Sequence, residues 1–494
     1  AMAKMSFYMA IGMLYTMNIL HAQEEAYKIN HYGKQDGLNQ SSVNYIFQDS
    51  QDFVWIANFG GVNKFDGYSF SSYSNDFGDD TSISDNSVWT IRELSDTSLW
   101  FGTKTGLSRY NKATNNFSNY YILNQDSTSA TLAIKALFQD HSGRFYVGSE
   151  GQGLFLFSLK SEKFTSVSIL PKDTKITALT EDTKHNLWVA TENRGLFKIS
   201  ANRTEVTAFR LNKSFESKTI WSLYADHKGD VWIGTDTDGL VRFDSKADSF
   251  YFYAKESKKY SYKAGNKIKT ITAQGEEKLW IGSATQGVSQ YSYKDRRFYT
   301  YQKDPYDINT IYDNDVSSIE VGANGVFYIG FYMKGFDKMI STPFKTLKNN
   351  PKQKNTLSND NVYCMYKDHE NFLWFGTYGG GLNRYDPSTK TFKHYLNSSA
   401  DPKSISHNWV RIIYEDRQNT LWIGTWGGGL NRFDRQTETF KRYLPQNDSE
   451  AALNHNIITA LFEDRDGELW IGTYGGGINL YQPDTDDFIS MRHD

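Results

Sequence analysis

One unit, repeated ten times after Tyr27, constrains what this chain can fold into more than any other feature. Its anchor is an aromatic residue, then a branched or aromatic one, then Gly or Ala: Trp55-Ile56-Ala57, Trp100-Phe101-Gly102, and so on to Trp470-Ile471-Gly472. Anchors begin at residues 55, 100, 146, 188, 232, 280, 328, 374, 422 and 470, so successive copies lie 42 to 48 residues apart. Twelve residues before every anchor stands Val or Ile, from Val43 to Ile458. Six before it, seven copies carry Asp: Asp49, Asp140, Asp182, Asp226, Asp368, Asp416 and Asp464. A Gly follows the anchor by six or seven residues, then an aromatic often followed by Asp, as in Tyr385-Asp386 and Phe433-Asp434. Many units close on Phe-x-x-Tyr, as in Phe392 to Tyr395.

Read as local structure, one unit is four strands of about five residues joined by Gly, Asn and Asp turns. The 33 Tyr, 32 Phe and 12 Trp, with 38 Gly against only 8 Pro, fit strands and tight turns better than helices. No segment sustains the 3.6-residue period of a helical solenoid. Such a sheet is apolar on both faces and cannot bury them alone. Radial stacking solves this, because each face then packs on a neighbouring blade. The expected fold is therefore all-β, a β-propeller of four-stranded blades, with the repeated Trp filling the space between blades.

The blades divide unevenly. After the seventh unit the chain runs through Ser341-Thr342-Pro343-Phe344 and the polar Lys348 to Lys354, with no strand pattern. Units eight to ten then carry near-identical loops, Tyr378-Gly379-Gly380-Gly381, Trp426-Gly427-Gly428-Gly429 and Tyr474-Gly475-Gly476-Gly477. At the loop's aromatic position earlier units hold Lys104, Glu150, Glu192, Asp236 or Ala284. Residues 23–343 are expected to form a seven-bladed propeller, and 344–494 the first three blades of a second, incomplete one. Residues 1–22 read as a signal peptide: Lys4, an apolar stretch from Phe7 to Leu20, and Ala22 before a polar switch. No later stretch approaches 18 apolar residues. A periplasmic location follows as an expectation.

The unit of Trp374 to Asp386, with Leu357-Ser358-Asn359-Asp360-Asn361-Val362 ahead of it, resembles the two-component regulator propeller repeat. So does the opening Asp36-Gly37-Leu38-Asn39-Gln40-Ser41-Ser42-Val43. The resemblance implies the periplasmic sensor region of a hybrid two-component system of Bacteroidetes. There, two seven-bladed propellers precede a β-sandwich, a membrane helix and a histidine kinase. It further implies an oligosaccharide ligand, a homodimer in the full-length form, and membrane attachment only through a downstream helix that this sequence does not contain.

Searched for chemistry, the sequence offers little. The 54 Lys+Arg against 57 Asp+Glu give a net charge of −3, without the basic excess of a nucleic-acid binder. One cysteine, Cys364, excludes disulfides and reads as a buried thiol. The histidines show no paired zinc spacing, the glycine-rich loops lack the Lys-Ser/Thr of a phosphate loop, and no nucleophile elbow occurs. Asp464-Arg465-Asp466-Gly467-Glu468 has a calcium-loop flavour but recurs as a plain strand-linking turn at Asp226. No catalytic residue, metal or cofactor is expected. Binding is better supported. The Tyr/Trp-Gly-Gly-Gly loops and the loops entering the next blade share one face, which groups Tyr378, Trp426 and Tyr474 with His407, Asn408, Trp409 and His455. Rings beside polar side chains suit sugars, whose C–H faces stack while hydroxyls take hydrogen bonds. Arg384 and Arg432 are added as ligand candidates, against the competing reading that they pair with nearby acids. The alternatives to a sensor are a secreted propeller lyase or glycoside hydrolase, or a protein-binding scaffold.

Overall fold

The computed structural model describes residues 26–491, apart from 123–130, 193, 210–218, 255–261, 306–308, 323–324, 345 and 447–450. The expected leader lies outside the described residues. Among the described residues there are ten antiparallel sheets of four strands and one 3-10 turn, Lys34–Asp36. The fold is an all-β propeller architecture. In the eighth blade the strands Val362–Lys367, Leu373–Thr377, Leu382–Asp386 and Thr391–Tyr395 pair in chain order, and every other blade but the seventh repeats this pattern.

The repeated residues each have a mechanical task. The Asp six before the anchor builds the turn between strands one and two. In Asp226, Oδ1 accepts the backbone N–H of Lys228 and Asp230 at 2.9 and 3.0 Å, while Oδ2 accepts the Trp232 indole N–H at 2.9 Å. Asp464 does the same with Asp466, Glu468 and Trp470, so both oxygens of its calcium-like turn are engaged by the protein. Where the Asp is missing, Ser98 or Gln274 takes the indole of Trp100 or Trp280 instead.

The anchor Trp sits between blades: Trp55 packs with Ile83, Val88, Ile91 and Phe101 of the next unit. The Gly after it lets the neighbouring innermost strand approach. A Cβ added at Gly330 would lie 2.5 Å from Val43 Cγ1, and one at Gly424 would lie 2.6 Å from Ile458 Cγ2. Both are far below any real Cβ contact, so a larger residue would push the blades apart.

Two compact units meet after Phe344. In the first, seven blades close into a ring. The seventh blade takes its outer strand from the start of the described chain: Ala26–Tyr32 pairs with Phe336–Thr342, from Ala26↔Thr342 to Tyr32↔Phe336. Across the closing seam, Ile46 N–H donates to Ser318 Oγ at 3.0 Å and Ser317 Oγ donates to the Val43 carbonyl at 2.6 Å. In the second unit, blades eight, nine and ten stack in succession. Position for position with Ile91, which is 1% exposed, Met365 of the eighth blade is 77% exposed. Phe462 of the tenth is 62% exposed. The expectation of a buried Cys364 needs correction: the residue is half-buried, packed at the edge of the core that the eighth blade shares with the ninth. Its thiol is nevertheless pushed up to about 12 by burial.

Candidate functional site

Each innermost strand carries a β-bulge at one place. The ladder skips a residue between Val43 and Tyr45, and equally between Val362 and Cys364 and between Val410 and Ile412. A bulge frees one side chain from the pleat and re-aims it. The freed residues in blades eight and nine are Tyr363 and Arg411.

The glycine loops are fastened to the next blade by backbone bonds. Tyr378 bridges to Trp409, and the N–H groups of Gly379 and Gly381 both donate to the Asn408 carbonyl, at 3.1 and 2.9 Å. Gly379 and Gly381 adopt φ of 91° and 71°, which a side chain would resist, so this clamp depends on glycine. One blade on, Gly427 and Gly429 donate to Asn456, and Trp426 N–H donates to the Trp409 carbonyl.

These fastenings assemble an aromatic cavity of about 200 Å³, lined by Tyr363, Tyr378, Trp409, Val410, Arg411 and Trp426. Tyr378 and Trp409 stack with centroids 4.0 Å apart and planes 26° from parallel. Tyr363 stands 5.7 Å from Tyr378, and the Arg411 guanidinium lies 4.9 Å from the Trp426 ring and 6.0 Å from Tyr363. Tyr474, 62% exposed, borders Trp426 at 5.6 Å. None of the six lining residues is a carboxylate, so the cavity can stack and hydrogen-bond a ligand but holds no acid–base pair of its own.

Three of the nine residues expected from sequence therefore line the cavity: Tyr378, Trp409 and Trp426. Three hold its loops. His407 Nδ1 accepts Trp409 N–H at 3.1 Å, His455 Nδ1 accepts Ile457 N–H at 3.1 Å, and Asn408 Oδ1 accepts Asn397 N–H at 2.7 Å. Burial also lowers the His407 pKa, favouring the neutral ring that this acceptor role needs. Tyr474 stands at the rim. Arg384 and Arg432 are not brought here. Arg384 lies over Trp374 and pairs with Glu438 at 3.0 Å, and Arg432 reaches Asp486 at 3.4 Å, each a carboxylate of the following blade. Sequence reasoning missed Tyr363 and Arg411. Their signal is a fixed offset, one residue after the Val that precedes each anchor by twelve.

One further cluster invites a metal reading. Ligand atoms of His141, Glu181 and His185 lie within 4.8 Å of one another. Glu181 is already engaged, however: it accepts His141 N–H at 3.0 Å and pairs with Arg203 at 3.1 Å. These bonds hold its pKa below the ordinary range although burial opposes them. The same clasp recurs as His369, Glu415 and Arg435 without a second histidine, which marks it as a fastening between blades.

Known proteins resemble this chain in both sequence and fold. The family described as two component regulator propeller matches residues 214–237, 356–379, 404–427 and 452–475, so the chain carries two-component regulator propeller repeats. It is 26% identical over 475 residues to Histidine kinase P4 of Formosa agariphila, covering 76% of this chain; the chain spans about a third (34%) of that curated relative's length. Among solved structures, it resembles the extracellular domain of the putative hybrid two component system BT3049 from B. thetaiotaomicron, with a TM-score of 0.64 and 23% identity over 94% of this chain and 67% of that one. Virginiamycin B lyase from Staphylococcus aureus matches at a TM-score of 0.50 and 13% identity, over 64% of this chain and 100% of the lyase. At these identities the structural matches establish the propeller fold.

Proposed function

We propose that this chain is the extracytoplasmic, ligand-sensing part of a two-component regulatory system, non-catalytic in itself, and that it takes an oligosaccharide at the aromatic cavity of the second unit. Four repeat matches and the likeness to a histidine kinase favour regulation over the alternatives of a secreted lyase or hydrolase and of a protein-binding scaffold. The observation that carries the ligand class is the cavity itself: stacked Tyr378 and Trp409 beside Trp426, open to solvent. Flat rings take the C–H face of a pyranose, and an open site lets the rest of a saccharide chain run on.

Blades eight to ten are read as part of a second ring, supported by the exposure of Met365 where the first unit buries its counterparts Ile46, Ile91 and Ile319. In the full-length protein the sensor would act as a dimer, passing ligand occupancy to a kinase across the inner membrane. Among the described residues no helix is long and apolar enough to cross a membrane. The test is a titration of intrinsic tryptophan fluorescence and heat with a panel of plant and host oligosaccharides. A saccharide should bind the full chain and lose at least tenfold affinity on Trp409→Ala or Trp426→Ala. Sustained turnover of any panel member, abolished by one carboxylate substitution, would refute the non-catalytic reading.

A further inference from the structure

The freed bulge position allows an internal comparison. In the first unit, lysines at this position are matched with acids. Lys135 pairs with Glu150 at 3.3 Å, and Lys269 pairs with Asp315 at 2.9 Å. Arg411 occupies the same position in the ninth blade, yet among the described residues no carboxylate lies within ion-pair distance of it. Among the described residues its guanidinium lies near the rings of Trp426 and Tyr363. A ring face orients a guanidinium and attracts it, but leaves its charge and its N–H donors available. The side chain is exposed and lines the cavity, so those donors meet solvent beside the stacking platform.

We infer that the cavity selects an anionic saccharide, with Arg411 as the residue that reads the charge. This rests on the saccharide reading of the same cavity and adds the substrate class to it. A guanidinium presents a planar fork of donors that matches a carboxylate or a sulfate ester in two parallel bonds. The cavity volume of about 200 Å³ is below the roughly 300–1,000 Å³ of sites that enclose drug-sized ligands, so it accommodates about one sugar ring. Trp409 and Tyr378 would stack that ring while its oxyanion meets Arg411. No acid lines the cavity to repel the charge.

The experiment is calorimetric titration of the full chain with three probes at low and at 0.5 M salt: digalacturonate, a sulfated galactose disaccharide, and neutral cellobiose. Either charged probe should bind at least tenfold more tightly than cellobiose, and the preference should shrink at high salt. Whichever charged probe wins names the oxyanion. Arg411→Gln should remove the preference by weakening the favoured charged probe at least tenfold, and should weaken cellobiose by a smaller factor. Equal affinity for all three probes, or a preference untouched by Arg411→Gln, overturns the charge inference and leaves the saccharide reading standing. If no saccharide binds, and neither Trp409→Ala nor Arg411→Gln changes any titration, the saccharide reading itself fails.

Discussion

The two units use one backbone for opposite chemistry. Glu150 and Lys175 form the same isolated bridge between adjacent blades that Tyr378 and Trp409 form in the second unit. In the first unit several of these positions carry charges that neutralise one another: Glu150 takes Lys135, Lys175 lies 3.7 Å from Glu192, and Lys267 lies 3.0 Å from Asp236, while Phe59 and Tyr332 keep rings there. In the second they carry rings, with one guanidinium among them. The difference teaches that the repeat fixes where side chains point and leaves open what they offer. The first unit has answered its own charges. The second leaves the Arg411 guanidinium among rings, with no carboxylate in ion-pair distance among the described residues.

The largest effect should come from reopening the ring. Deleting residues 1–32 removes the outer strand of the seventh blade and exposes the edge Phe336–Thr342. Differential scanning calorimetry should show the first unit's transition falling by more than about 10 °C, with the second unit's transition in place. Transitions that fall together would break the distinction between a closed ring and a separate stack. Next in size is a matched pair of truncations. Ile91→Ala, at a 1% exposed site, should cost about 2–5 kcal/mol, whereas Met365→Ala, at 77%, should stay within about 0.5 kcal/mol in urea denaturation. Equal costs would mean that Met365 is covered in solution.

A pH-dependent difference follows. Burial raises Glu320, in the seventh blade, from its ordinary 4.5 to about 7. Between those values the folded state keeps a proton that the unfolded chain has released, so stability declines as pH rises through this window. Glu320→Gln should therefore stabilise the first unit by roughly 2 kcal/mol at pH 8 and change little at pH 4, as measured by urea melts at both values. The smallest effect is expected at the mouth itself. Glu150→Gln and Trp426→Ala should each shift stability by about 1 kcal/mol or less, since the ion pair and the ring are each only half-buried. Only Trp426→Ala should alter saccharide binding.

Much of this was legible in the sequence. Ten anchors, each with its preceding Val or Ile and seven with an Asp, located the blades, because each marks a task in the fold. The Asp–indole bond and the Gly that admits the next strand are such tasks. The closing strand was not legible. Ala26–Tyr32 lacks the Phe-x-x-Tyr signature, since its partner lies at the far end of the unit and its sequence answers to the seventh blade. The candidate site was half legible. Rings in the glycine loops announced themselves by type, whereas Tyr363 and Arg411 are marked only by their offset from the repeated Val, where a backbone bulge exposes them. Arg384 and Arg432 misled because a strand-central arginine looks the same whether its carboxylate lies on a ligand or on the next blade.

The borrowed outer strand also sets a timetable. His31 and Asp337, which meet at 2.8 Å in the closed ring, are 306 residues apart in the chain. At roughly 5–20 residues per second, a ribosome needs about 15 to 60 s to deliver the second after the first. Throughout that interval six blades can assemble while the opening strand waits unpaired, and nothing upstream of Phe336 can satisfy it. The second unit carries no such delay, because each of its blades completes within one repeat. A nascent-chain experiment that stops synthesis before and after Thr342 should find protease resistance of the first unit arriving late and all at once.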